Sequence, residues 1–142
     1  MAYAGLRVSE VVNLKIEDIT LQAREMIVRS GKGDKQRLVY LNDKIIHALQ
    51  EYLRIRPKTE SPHLFPSRQG GKLNRTRFNQ IFNQNSDIIT PHTLRHFYCS
   101  NALDSGYSIA EVANQAGHSN VQTTLRYTNP TREKMKEKAN LL

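Results

Sequence analysis

The sequence has no tryptophan and only one cysteine, Cys99, in 142 residues. A single thiol excludes an internal disulfide framework and a cysteine-based zinc site. No apolar run approaches the roughly 20 residues of a membrane span. Met1–Arg7 lacks the basic and apolar regions of a signal peptide, so the expectation is a cytoplasmic protein with no membrane partner. Carboxylates are also scarce: 13 Asp+Glu face 21 Lys+Arg, a formal net charge of +8. That imbalance points to an anionic polymer as partner, and to nucleic acid ahead of lipid, because no basic amphipathic helix stands out.

The length suits one domain with a real core. No repeat, low-complexity tract or internal domain boundary is visible. Ser9 reads as the N-cap of a short helix, Glu10–Leu14. Asp18–Leu21, Glu25–Ser30 and Gln36–Leu41 alternate as strands do, with Gly31-Lys32-Gly33-Asp34 as the tight turn between the last two. Asn42 or Asp43 caps a helix to about Arg54, whose apolar face is Ile45, Ile46, Leu49, Tyr52 and Leu53. Pro57 ends it, and Lys58–Lys72 reads as a loop with Leu64-Phe65 dipping into the core. Asn74 caps a helix to about Asn83, apolar at Phe78, Ile81 and Phe82. Helices over 92–105, 108–116, 121–125 and 131–140 complete an α+β fold, mostly helical, with a small three-stranded antiparallel sheet.

The stretch from Pro91 to Tyr127 concentrates chemistry. It holds His92, His96 and His118, three of the five histidines, together with Arg95, Cys99 and Tyr127. Residues three apart share a helix face, so His92 and Arg95 can aim at one point. His118 and Tyr127 follow beyond a glycine and a loop. Arginine clamps phosphate, histidine moves protons near neutral pH, and tyrosine can serve as a covalent nucleophile. Each residue alone has an ordinary reading: a helix-start hydrogen bond, a surface cation, a C-cap neighbour, a core ring. Ser108–Thr124 also has the look of a helix-turn-helix DNA reader, with Asn120, Gln122 and Thr123 free to touch base edges.

Jointly, five motifs in order carry a resemblance: Gly5-Leu6-Arg7-Val8-Ser9-Glu10, Gly31-Lys32-Gly33-Asp34-Lys35, His92-Thr93-Leu94-Arg95-His96, Gly117-His118-Ser119, and Tyr127. The chain resembles the tyrosine recombinases of the phage-integrase family over essentially its whole length. The resemblance implies a catalytic domain of the DNA breaking-rejoining type. Residues 1–142 would form a single, N-terminally truncated catalytic domain whose core-binding domain is absent, since only six residues precede Arg7. It implies site-specific recombination or integration through a 3′-phosphotyrosyl intermediate, with double-stranded DNA as substrate and four protomers on two duplexes.

The implied roles follow residue by residue. Tyr127 is the nucleophile. Arg7 and Arg95 clamp the non-bridging oxygens, and Lys32 protonates the departing 5′-oxygen. Lys35 offers a rival ammonium, but Lys32 holds the Gly-Lys-Gly position. His92 exchanges a proton with the tyrosine, His118 hydrogen-bonds the phosphate, and Glu10 is a supporting carboxylate that orients His or Arg groups. No metal and no cofactor is implied, because positioned cations can stabilise the transition-state charge. The competing expectations are a type IB topoisomerase and a non-catalytic DNA-binding remnant.

Overall fold

The computed structural model describes residues 1–29, 36–128 and 132–141. Helix α1 (Val8–Asn13) is followed by a 3₁₀ turn, Ile16–Asp18, and strands β1 (Ile19–Thr20), β2 (Glu25–Arg29) and β3 (Gln36–Tyr40). Helices α2 (Asp43–Ile55), α3 (Arg75–Asn85), α4 (Pro91–Asp104), α5 (Ile109–Ala116), α6 (Gln122–Leu125) and α7 (Arg132–Ala139) follow. The strands form an antiparallel sheet in the order β1-β2-β3. The expected α+β architecture is therefore present.

Among the described residues two hydrophobic clusters form the core. The first joins Leu6, Val11 and Leu14 to the inner face of the sheet, Met26, Val28 and Val39, and to Leu41 and Leu64. The predicted face of α2 packs against it through Ile45, Ile46, Leu49, Tyr52 and Leu53. Each fully buried Val or Leu here contributes about 1.5–3 kcal/mol relative to exposure. The second cluster joins Tyr98, Cys99 and Ala102 of α4 to Val112 and Ala116 of α5, with Tyr127 packed against it. The groove described below lies where elements of the two clusters meet.

Local chemistry sets the helix starts. Asn42 caps α2 by accepting from the Ile45 amide at 3.0 Å, and Asn74 caps α3 by accepting from Arg77 at 2.7 Å. Thr90 and Thr93 form a reciprocal box at the start of α4, at 2.8 and 3.1 Å, with Pro91 in the first turn. Ser108 and Glu111 do the same for α5, at 2.6 and 3.2 Å.

Several boundaries differ from expectation. Arg7, not Ser9, is the N-cap of α1, because the Glu10 carboxylate takes the Arg7 amide at 2.8 Å. That leaves Ser9 within the first turn. The first strand is only Ile19–Thr20, because Asp18 closes the 3₁₀ turn and is buried against Arg29. Ile81 is exposed rather than packed, while Phe78 reaches the first cluster. The predicted loop before α3 is well tied. Leu64 is buried, its amide donates to Leu14 at 2.8 Å, and its carbonyl accepts from the Tyr52 hydroxyl at 2.9 Å. The turn at Gly31–Asp34, with Lys32 and Lys35, lies outside the described residues. No helix among the described residues is long and apolar enough to cross a membrane.

Candidate active site

Arg7 sits where the chain enters α1, and three residues later Glu10 faces back toward it. Glu10 is buried at 5% exposure. Its Oε1 accepts from Arg7 Nη1 at 3.2 Å and from Arg37 Nη1 at 2.7 Å. Its Oε2 accepts from Arg37 Nη2 at 2.9 Å as well as from the Arg7 amide. Burial alone would push the Glu10 carboxyl up. The hydrogen bonds from Arg37 and the Arg7 backbone, with both guanidinium charges, outweigh it and hold the carboxyl below its ordinary value. Arg7 Nη2 donates onward to the Gly117 carbonyl at 2.8 Å. Glu10 thus contacts two arginines, Arg7 and Arg37, at once.

Gly117 ends α5 in a left-handed conformation, φ 66°, and the His118 amide donates back to Ala113 at 2.8 Å. This helix-ending turn delivers His118 to the groove. A Cβ at Gly117 would lie 2.6 Å from the Arg37 guanidinium, so a side chain there would displace Arg37 and strain the left-handed backbone. His118 Nδ1 is 2.7 Å from the hydroxyl of Thr124, which is completely buried. Burial, then the charges of Arg95, Arg7 and Arg37, lower the His118 pKa to about 4. The imidazole is thus neutral near pH 7, with Nδ1 occupied by Thr124 and Nε2 left for a ligand.

Helix α4 supplies the opposite wall. Arg95 donates to the carbonyl of Gly5, itself at φ +63° with the Tyr98 ring where a Cβ would stand. Burial and the neighbouring Arg7 lower the Arg95 pKa. Arg95 is thus a crowded, partly desolvated cation. His92 and His96, one turn apart, are joined through their Nε2 atoms. The His96 ring then meets the Tyr127 ring edge-on, with centroids 5.1 Å apart at 66°. Burial raises the Tyr127 pKa, despite opposing charges at Arg95 and Arg126. In this structure the phenol therefore keeps its proton at neutral pH.

Arg7, His92, Arg95, His118 and Tyr127 all line one groove of about 680 Å³. It adjoins a second groove of about 1000 Å³ that shares Arg7, Ser9, Arg75 and His118 and adds Arg29 and Arg37. Among the described residues lining the two, Glu10 is the sole carboxylate. So the chain folds to bring five of the sequence-predicted residues to one cationic surface, while Lys32 falls outside the described residues. Sequence reasoning missed Arg37, His96 as a link between His92 and Tyr127, and Thr124 as the partner of His118. The spacing of His92 and His96, four apart on one helix, was the available signal for the second. Among the described residues no group of three or more His, Cys, Asp or Glu could hold a metal ion.

The segment expected as a DNA reader, Ser108–Thr124, is built differently from a helix-turn-helix. Its second helix, α6, is only four residues long, Thr124 is committed to His118, and Thr123 lines the groove. That geometry favours a catalytic reading of the segment over a recognition helix.

Comparison with known proteins identifies relatives of the whole chain. The model of the phage integrase family matches residues 1–134. The TnP I resolvase of Bacillus thuringiensis is 54% identical over 147 residues, covering 100% of this chain and 51% of that protein. The crystal structure of the XerA recombinase superposes with a TM-score of 0.81 at 34% identity, over 99% of this chain and 54% of that one. The site-specific recombinase XerH, in a pre-cleavage complex with its difH substrate, matches at TM-score 0.74 and 27% identity, over 97% and 43% of the two chains. This chain spans about half the length of the curated relatives it matches.

Proposed function

The chain belongs to the phage integrase family, the tyrosine recombinases, and on that footing we propose that it breaks and rejoins double-stranded DNA at specific sites through Tyr127. The observation that carries the proposal is the convergence of Arg7, His92, Arg95, His118 and Tyr127 on one groove, from four separate parts of the chain. Residues 1–142 act as the catalytic domain of this reaction.

The phosphodiester enters the groove and its non-bridging oxygens take the free donors of Arg7 and Arg95, with His118 Nε2 as a third donor. The phenol of Tyr127 attacks phosphorus and its proton passes to His92. The bond to the 5′-oxygen breaks, and that oxygen takes a proton from Lys32. The products are a 3′-phosphotyrosyl link and a free 5′-hydroxyl. Attack by another 5′-hydroxyl reverses each step, so bond energy is conserved and ATP is not consumed. Since Tyr127 begins protonated, base catalysis at the hydroxyl is required rather than optional. Four protomers on two duplexes in the cytoplasm would form the working assembly.

The resolvase and recombinase relatives favour this reading over a topoisomerase or a passive DNA binder. The test is covalent trapping on nicked suicide duplexes drawn from a pool of candidate junctions. An SDS-resistant protein–DNA band that disappears in Tyr127→Phe is expected. A band that persists in that variant would exclude Tyr127 as nucleophile, and salt-sensitive binding without any band would support the passive binder.

A further inference from the structure

We infer that Arg37 is a positioning residue for this reaction: it locks the Glu10 carboxylate and the end of α5 together, and thereby aims Arg7 and His118 at the phosphate. The inference rests on the reading of the groove as a phosphoryl-transfer site.

Arg37 occupies an inward-facing position of β3, opposite Val28 and two residues before Val39, both buried in the first cluster. Its side chain is 13% exposed. A charge placed there is costly unless its donors are used. They are used across two other elements: Nη1 and Nη2 fork onto the two oxygens of Glu10 at 2.7 and 2.9 Å, and Nε donates to the Gln115 carbonyl at 2.9 Å. The absent side chain of Gly117 makes room for the guanidinium.

Arg7 is held by the same parts. Its two outer nitrogens bond Glu10 Oε1 and the Gly117 carbonyl, and its side chain is otherwise 42% exposed. Both anchors are therefore fixed by Arg37, one through the carboxylate fork and one through the tie between β3 and the end of α5. His118 follows Gly117 directly, so the same tie sets its approach to the groove. Displacement of about 1 Å at such a site costs on the order of 10²-fold in rate. Lysine cannot substitute, because an ammonium has no planar fork to hold both carboxylate oxygens and the Gln115 carbonyl at once.

The test uses Arg37→Lys, Arg37→Gln, Glu10→Gln and the double variant Glu10→Gln/Arg37→Gln. On the duplex that traps the wild-type chain, single-turnover formation of the adduct is expected to fall about 30-fold or more in Arg37→Lys, with Kd for that duplex within about threefold. The double variant, which replaces a charged pair by two amides and keeps the fold, should be no slower than the slower single variant.

A second readout needs no DNA. In NMR of the free protein the Arg7 guanidinium protons should be slowly exchanging in the wild type and lost in both Arg37 variants. The His118 titration, set first by burial and then by Arg95, Arg7 and Arg37, with Thr124 at Nδ1, should move up slightly in Arg37→Gln and stay low in Arg37→Lys. An Arg37→Lys adduct rate within threefold of wild type overturns the inference, as do rate losses of Glu10→Gln and Arg37→Gln that multiply. If the wild-type chain forms no adduct on any duplex, the functional reading fails by itself. Unchanged Arg7 signals in Arg37→Lys would then sink the clamp separately.

Discussion

The chain builds the same local device twice in its first 40 residues, and one copy opens onto the candidate groove while the other does not. In each, a carboxylate at the third position of a short helix turns back to accept the backbone N–H just before that helix. Glu10 does so with Arg7 at 2.8 Å, and Asp18 with Lys15 at 3.1 Å. Each carboxylate is buried and captures an arginine from the sheet, Arg37 for Glu10 and Arg29 for Asp18, the latter at 2.9 and 3.0 Å through one oxygen. The difference lies in what else is attached. Lys15 turns to a surface pair with Glu17, whereas Arg7 reaches the end of α5 and faces Arg95 and His118 across a groove. A buried ion pair by itself is thus a structural staple. In the proposed mechanism it takes on a catalytic role where its cation is left half-exposed beside Arg95 and the neutral His118.

Neutralising the two carboxylates separates the two devices most. Glu10→Gln turns an amide N–H toward two guanidinium groups, and adduct formation should fall about 100-fold with a stability loss of about 3–5 kcal/mol. Asp18→Asn should lose less, about 1–3 kcal/mol, because half-exposed Arg29 can be solvated. It should cleave within about threefold of wild type below its melting temperature. Urea melts beside single-turnover assays check both, and equal rate losses would erase the distinction.

A smaller effect sharpens the cationic side. His118 has a folded pKa of about 4 against an ordinary 6.5, so the unfolded chain binds more protons in that window. The stability associated with neutral His118 is complete above pH 6.5 and is lost as pH falls toward 4. His118→Gln should flatten that slope in thermal melts, whereas Asp18→Asn should keep it. Smallest of all, Glu17→Gln removes only an exposed partner of Lys15 and should change stability by less than about 0.5 kcal/mol, with no change in cleavage.

Much of this was legible because it is local. Caps at Asn42, Asn74 and Ser108, strand alternation and the α2 apolar face depend on neighbours within a turn or two, and the order of Arg7, His92, Arg95, His118 and Tyr127 is readable as a pattern. Arg37 was not legible as part of the site, because its partner Glu10 lies 27 residues away and its tie to α5 spans 78. It was nevertheless anomalous within its own strand, as an arginine on the face that also carries Val39. The start of α1 was misplaced for a related reason: a glutamate side chain, rather than Ser9, satisfies the first amide.

The crowd of guanidinium groups around His118 also makes this groove a proton trap with an anionic trigger. Burial first, and then those charges, keep the imidazole bare. A phosphate seated between Arg7 and Arg95 offsets them, so the His118 pKa climbs and binding draws protons from solution. Affinity for DNA should then strengthen as pH falls below neutrality, and the heat of binding should change with the ionisation enthalpy of the buffer. Substrate capture and protonation of the site become one thermodynamic event, in which the ligand brings the charge and the solvent supplies the proton.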